Sequence, residues 1–452
     1  MQEGGYAMSQ SMENQPEAVF ERIKRAGELL RRWAWVEPMV WTERMLTALE
    51  QGVKGGKWFS LIDKILPERT LRAAFGQVAA NKGSAGVDHV TTTMFGDRLD
   101  EEVKKLSEQL RNGSYRPQAI RRHYIPKPGS QEKRPLGIPT VRDRVVQTAL
   151  RMVLEPIFEK EFAEHSYGFR PKRGCKDALR RVDELLKTGY TYIVDADLKS
   201  YFDTIPHDRL MALVGQKVSD GRVLNLIEAF LKQGVLDGLR EWTPEMGSPQ
   251  GAVVSPLLSN IYLNPLDHKM AQEGFEMVRY ADDFVILCRS PEDATRALAV
   301  VQKWTAEAGL MLHPTKTRIV NATTDSFEFL GYRFSKGKRF PRTKSLQKLK
   351  DTIRAKTKRT NGQCLPAIIG SLNPTLRGWF EYFKHSVQNV FEKEDGWVRG
   401  RLRAILRKRH KGKGRARGLD HQRWPNAYFA ELGLFSLAIA RVQASQSRKR
   451  TH

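Results

Sequence analysis

Met277-Val278-Arg279-Tyr280-Ala281-Asp282-Asp283-Phe284-Val285-Ile286-Leu287 sets two adjacent carboxylates between short β-favouring runs. The pattern predicts a strand, a tight turn and a strand. Neighbouring aspartates at a hairpin tip repel one another, so folding alone gives little reason for the pair. A divalent cation supplies one, because hard carboxylate oxygens are what Mg²⁺ prefers. In isolation an Asp-Asp turn is most simply a solvated polar turn, and the decision rests with the rest of the chain.

A second acidic segment lies 85 residues upstream, counting from Asp197 to Asp282. Tyr192-Ile193-Val194-Asp195-Ala196-Asp197-Leu198 predicts a strand running into a turn at Lys199-Ser200, followed by Tyr201, Phe202 and Asp203. Strand side chains alternate, so Asp195 and Asp197 share one face and alternation does not choose between them. A strand ending in aspartate beside a carboxylate hairpin is what a two-metal site requires, with ions roughly 3.5–4 Å apart holding attacking and leaving oxygens. The competing reading is a strand-end carboxylate that caps the next helix.

Length and composition narrow the class. At 452 residues the chain has room for roughly two to four domains. No apolar run approaches the roughly 18 residues of a membrane span, so no membrane is expected as partner. Glu3, Glu13 and Glu17 break the layout of a signal peptide. Cys175, Cys288 and Cys364 are scattered and odd in number, which argues against a disulfide framework or structural zinc and fits a reducing cytoplasm. The net charge of +25 is segregated: residues 331–452 carry 30 Lys and Arg against 7 Asp and Glu, and residues 1–330 are nearly balanced. A polyanion partner explains such a basic back half, and nucleic acid suits it because aromatics lie among the cations.

Other segments add parts. Residues 1–18 are polar and expected to be disordered, and residues 19–75 read as a helical extension with Trp33, Trp35 and Trp41 packed on the main body. Tyr124-Ile125-Pro126-Lys127-Pro128-Gly129 and Lys133-Arg134-Pro135-Leu136-Gly137 bracket a turn, placing Lys127 and Arg134 on a cationic flap suited to a triphosphate. Helices are expected over Val145–Phe162, Arg222–Gln233 and Val254–Leu263. Gly247-Ser248-Pro249-Gln250-Gly251 is a loop whose backbone can approach a ligand, with Gln250 able to bond a sugar or base edge. Gly309–Thr317 and Phe327–Tyr332 read as two short β-like runs, and Lys316 as a phosphate contact or proton donor. Arg401, Arg403, Arg407, Lys408, Arg409 and Lys411 recur too densely for a buried helix face, which points to RNA contact.

Together, Asp197-Leu198-Lys199-Ser200-Tyr201-Phe202-Asp203, Gly247-Ser248-Pro249-Gln250-Gly251 and Tyr280-Ala281-Asp282-Asp283 resemble the core of reverse transcriptases encoded by bacterial group II introns. Asn81–Asp88 resembles an N-terminal motif of those enzymes; Leu376–Phe383, Trp397–Arg417, Arg423–Phe429 and Gly433–Leu437 resemble their thumb and maturase tail, in the wording of group IIC proteins. Cys364 alone follows residue 288, so the cysteine-pair H-N-H endonuclease of many relatives is not expected.

The resemblance implies an α+β right-hand polymerase fold. Its divisions are an N-terminal extension (1–65), fingers (66–190), palm with antiparallel sheet (191–335), helical thumb (336–395) and basic maturase tail (396–452). It implies that Asp197, the Leu198 carbonyl, Asp282 and Asp283 hold two Mg²⁺ ions; Asp195 gives way to Asp197 because the family's aspartate precedes the aromatic at Phe202 by five residues. Lys127 and Arg134 would grip the dNTP triphosphate, Phe202 would stack under the deoxyribose, and Pro249, Gln250, Gly251 and Lys316 would complete the nucleotide site. Arg377, Trp379, Tyr382 and the basic run from Arg401 to Lys411 would meet intron RNA, with DNA primer and target as further partners. The implied activity is RNA-directed DNA synthesis coupled to intron splicing and retrohoming; a retron- or defence-type enzyme and a catalytically silent splicing factor are the alternatives.

Overall fold

The computed structural model describes residues 27–126, 133–414 and 417–449. Lys127, residues 1–18 and the start of the expected N-terminal helix lie outside them.

Three sheets organise the fold. In the first, β1 (Ile120–Pro126) and β2 (Lys133–Ile138) form an antiparallel hairpin, registered from Arg121 opposite Ile138 to Pro126 opposite Lys133. The second begins with β3 (Tyr192–Asp197). A short hairpin of β4 (Val235–Asp237) and β5 (Arg240–Trp242) extends the first sheet, β4 lying parallel to β1.

The central sheet has the order β6-β7-β3-β8, with β6 (Glu276–Tyr280), β7 (Asp283–Cys288) and β8 (Arg318–Asn321), every pairing antiparallel. Phe284-Val285-Ile286-Leu287 is continuously apolar because both faces of β7 are covered. Phe284 and Ile286 join Val194 and Ala196 in the main core, whereas Val285 and Leu287 join Ile193 and Val278 in a second core. Each such fully buried side chain contributes about 1.5–3 kcal/mol. This two-sided burial fixes the register that carries the aspartates.

Helix α1 (Val141–Glu159) runs through the main core, its first turn capped by the Thr140 hydroxyl accepting from Asp143 N–H. The N-terminal segment is docked there: Trp33 and Trp41 are buried in the same core, and Trp41 Nε1 donates to the Met152 carbonyl at 3.0 Å. Helix α2 (Cys175–Lys187) covers the other face of the central sheet, and α3 (Ser255–Gln272) backs its acidic hairpin.

Two readings of strands are corrected. Gly309–Thr317 holds a single isolated bridge, Leu312 to Leu198, and the strand starts at Arg318; Pro314 removes a ladder donor. Phe327–Tyr332 is not one run but the junction of β9 (Ser326–Phe329) and β10 (Tyr332–Ser335), because Leu330 and Gly331 have positive φ and turn the chain back. β10 then pairs with β11 (Lys338–Pro341).

Helices α4 (Thr343–Lys356), α5 (Leu365–Phe383), α6 (Gln388–Arg409) and α7 (Leu437–Lys449) build a third core from Ile353, Leu372, Phe391, Leu402 and Leu437. The division expected at 395/396 falls inside α6, so the residues on either side of it share one core. Asp395 sits at that point. Its buried carboxylate accepts from the Leu437 and Ala438 amides at 3.0 and 3.1 Å and anchors the first turn of α7.

Candidate active site

The register of β3 and β7 places Asp197 directly opposite Asp283. Between β6 and β7 the turn residue Ala281 takes φ 59°, a left-handed conformation disfavoured for alanine, and Asp282 follows at the tip. Burial pushes the Asp283 carboxyl up to about 7, reinforced by Asp195, Asp282 and Asp197. Asp282 is also raised, by burial first and then by Asp197, while Arg134 and Arg279 oppose the shift. Burial lifts Asp195 to about 6 although Arg318 lies 3.6 Å away. Asp283 thus feels the charges of Asp195, Asp282 and Asp197 together, and Lys316 supplies part of the compensation: its Nζ donates to Asp197 Oδ2 at 2.6 Å.

This donor set is entirely oxygen, the chemistry magnesium takes, and mutual repulsion among the acids is relieved by a dication. Asp197, Asp282, Asp283 and the Leu198 carbonyl fit such an ion chemically. Among the described residues no three acidic, His or Cys side chains already surround one point, since Asp197 is turned to Lys316.

A buried polar network holds the tip. Arg279 is fully buried and donates through Nε to both oxygens of Asp267 at 2.8 and 3.0 Å. One terminal nitrogen reaches the Asn260 side-chain oxygen and the Ala281 carbonyl, both at 2.9 Å. Asn260 in turn donates to the Gly168 carbonyl at 2.8 Å. Gly168 packs so closely that a Cβ there would lie 2.2 Å from the Ala281 nitrogen. The residue held in strained conformation is thus clamped by Arg279 on one side and Ser166–Gly168 on the other. Sequence reading missed Arg279, Asp267, Asn260 and Gly168 as site residues. The available signal was a lone arginine inside an apolar strand and a lone aspartate beside Leu266, since such charges are buried only when paired.

The nucleotide-site residues are partly assembled. Phe202 lies edge-on to buried Tyr201 at 5.4 Å, and Tyr201 is fixed by donating to the Ser259 carbonyl at 2.8 Å. The Pro249–Gly251 loop is clipped to β2, Gly137 N–H donating to the Gln250 carbonyl at 2.6 Å. Gly251 has φ 104°, and a Cβ there would sit 2.4 Å from the Gly137 carbonyl, so a side chain is excluded twice over. Arg134, exposed on β2, is close enough to lower the proton affinity of Asp282.

The expected RNA contacts divide sharply. Arg403 is corrected: it is 3% exposed and donates to the Trp424 carbonyl and Asn426, because α6 turns that face into the third core. Trp379 and Tyr382 are half-buried. Both pack at the joint between the central sheet and α5, with Tyr382 donating to the Leu330 carbonyl at 2.7 Å. Arg401 bonds Thr357, and Arg407 bonds Asp420 and the Lys413 carbonyl, so both brace the domain. Arg377 stacks over Phe435 at 4.7 Å yet stays exposed. Lys408, Arg409 and Lys411 are exposed, with Arg409 also donating to the Asn361 carbonyl.

Residues 125–334 match the family described as reverse transcriptase (RNA-dependent DNA polymerase), and residues 346–424 match the group II intron, maturase-specific domain. The class is therefore RNA-directed DNA polymerase, on an α+β right-hand fold. Protein YkfC of Escherichia coli (strain K12) is 34% identical over 353 residues, 69% of this chain and 88% of YkfC. The group II intron-encoded protein LtrA of Lactococcus lactis is 40% identical over 199 residues, 44% of this chain and 33% of LtrA. An uncharacterized 91 kDa protein in the cob intron of Schizosaccharomyces pombe is 32% identical over 324 residues, 58% of this chain and 40% of that protein. The chain thus spans most of YkfC but less than half of the two intron proteins. It belongs to the group II intron-encoded reverse transcriptase and maturase family. No helix among the described residues is long and apolar enough to cross a membrane.

Proposed function

We propose that this protein binds the RNA of its host group II intron, assists its splicing and copies it into DNA at a target during retrohoming. The observation that carries the reading is the acidic hairpin facing Asp197, on the same chain as a maturase-specific segment. Asp197, Asp282 and the Leu198 carbonyl would hold two Mg²⁺ ions, with Asp283 supporting the primer side. Held by these residues, such ions would supply acidification of the primer 3′-hydroxyl and neutralisation of charge on the departing pyrophosphate. Phe202 closes the floor under the deoxyribose, and its ring leaves no room for a ribose 2′-hydroxyl. Arg134 grips the triphosphate bidentately and Lys127 adds a point charge. Pro249, Gln250 and Gly251 hold the base pair being formed. Lys316 leaves Asp197 when the site loads and turns its ammonium, a proton source, towards the leaving phosphates. Arg377, Lys408, Arg409 and Lys411 hold intron RNA and contribute its salt sensitivity. Residues 66–190, 191–335 and 336–395 act as fingers, palm and thumb, and the intron is of group IIC.

The test is extension of a DNA primer on an RNA template with Mg²⁺. Wild type incorporates dNTPs, and Asp197→Asn abolishes detectable turnover, because losing a metal-bridging carboxylate removes several kcal/mol of transition-state stabilisation. A wild-type chain that incorporates nothing yet still binds intron RNA would establish a silent splicing factor instead.

A further inference from the structure

The loop carrying Pro249, Gln250 and Gly251 is fastened at both ends. Downstream, the side-chain oxygen of fully buried Gln147 on α1 accepts from the Val253 amide at 2.8 Å. Upstream, the loop is tied to the turn after Asp197. From Phe202 the chain passes through Ile205 and Pro206 into a helix at His207–Gly215. Gly247 N–H donates to the Ile205 carbonyl at 2.8 Å and Ser248 N–H to the Phe202 carbonyl at 2.7 Å. Pro206 and Met246 form an isolated antiparallel bridge beside them.

His207 locks this junction. It is 8% exposed, and its Nε2 lies 2.7 Å from the Gly247 carbonyl oxygen. A carbonyl only accepts, so Nε2 carries the hydrogen and donates it. Gly247 has φ 91°, and a Cβ there would lie 2.8 Å from the Phe202 oxygen and 2.9 Å from the Asp203 carbonyl. The two backbones are thus in direct contact, at a position that suits glycine alone. The two amide bonds across the junction need no particular side chain, whereas the third needs a donor of imidazole length.

What the two segments carry gives the junction its consequence. On the proposed function the Phe202 ring bars a ribose 2′-hydroxyl while Pro249, Gln250 and Gly251 seat the nucleotide. A ring rejects one hydroxyl only if neither it nor the loop opposite can give way. Selectivity is a difference between two affinities, and a clash that a small shift relieves discriminates little. We infer that His207 is a positioning residue for sugar selection. By holding the Gly247 carbonyl it fixes the spacing between the Phe202 turn and the nucleotide loop. It acts through those residues and not on the substrate, and the inference rests on the polymerase reading above. Loss of the donor leaves a buried carbonyl unpaired, and the loop relieves that cost by moving away from Phe202 towards water.

The experiment is steady-state extension of a DNA primer on an RNA template by the full chain with Mg²⁺, comparing dATP with ATP. His207→Leu removes the donor at similar volume. It lowers the dATP-to-ATP ratio of kcat/KM roughly fivefold to tenfold, the scale of one hydrogen bond, through a lower KM for ATP. His207→Gln keeps an N–H at the reach of Nε2 and restores the ratio. His207→Asn, whose amide falls short of Gly247, reproduces the leucine result and serves where the leucine variant does not fold. Urea unfolding of each preparation reports folding. Equal loss on both nucleotides, or a wild-type ratio in folded His207→Leu and His207→Asn chains, makes His207 merely structural and overturns the inference. A glutamine variant that behaves as the leucine one also overturns it. Each of these results leaves the polymerase reading standing, whereas a wild-type chain that extends with neither nucleotide refutes that reading and this inference with it.

Discussion

Replacing Gly168 by alanine isolates the contact beneath the acidic tip. The new methyl would lie 2.2 Å from the Ala281 nitrogen, 2.8 Å from the Tyr280 carbonyl carbon and 3.0 Å from Ala281 Cα. All three atoms are backbone, so no rotamer change relieves them. Ordinary contact is about 3.5 Å, so either the tip or the Ser166–Gly168 segment must move by roughly 1 Å. The tip is held by Arg279 and the segment by Asn260, and both bonds resist. Overpacking of this kind costs about 1–3 kcal/mol of stability. A displacement of about 1 Å at reacting groups costs roughly a hundredfold in rate, so turnover should fall far more than stability. The assay is single-turnover primer extension at saturating dNTP, with urea unfolding of the same preparation. Gly215→Ala is the control, because a Cβ there meets nothing within 4 Å. A folded Gly168→Ala chain extending primer within about threefold of wild type would refute the claim that this glycine sets the aspartates.

Three further outcomes test the surroundings. Asp267→Asn leaves the buried Arg279 guanidinium without its anion and should cost about 3–5 kcal/mol in urea unfolding; a loss below about 1 kcal/mol would contradict the network. Asp283 at about 7 and Asp195 at about 6 bind protons more tightly folded than unfolded, so their effect favours folding at low pH and is lost as pH rises from about 4 through 7. In EDTA, charge-neutralising Asp283→Asn and Asp195→Asn should therefore flatten the decline in melting temperature between pH 5 and pH 8, and an unchanged slope counts against the crowded acids. Lys408→Ala with Lys411→Ala should lower the salt slope of RNA binding by about 2, whereas Arg403→Met should reduce melting temperature and leave that slope unaltered in the fraction that stays folded.

What the sequence disclosed and concealed follows from how each feature is built. The acidic hairpin and its partner strand were legible because they rest on period-two alternation and an apolar run, both local properties. Their facing arrangement was expected from the chemistry of a two-metal site and from the family resemblance, not from the strands themselves, since it depends on β3 inserting between β7 and β8 and no local pattern specifies a strand order. The 330–331 reversal was missed because Leu330 precedes Gly331 in left-handed conformation, and leucine gives no turn signal. The β4–β5 hairpin with Trp242 passed unread because its three-residue strands are too short for periodicity to register.

Charge misled in a more instructive way. Within α6, Arg401, Arg403 and Arg407 look in composition like Lys408 and Lys411, yet the first three bond Thr357, the Trp424 carbonyl and Asp420. Guanidinium groups reach carbonyls in several directions at once and lose less than ammonium groups by leaving water, so arginine suits this internal bracing. The +25 net charge is therefore not all available to RNA. Part of it ties together the helices on either side of residue 395, which share one core across α6. Arg377 and Lys408–Lys411 are thereby joined through one core to the helix that meets the central sheet at Trp379 and Tyr382. On the proposed function, RNA held at these positions would be braced through that shared core against the central sheet that carries the aspartates.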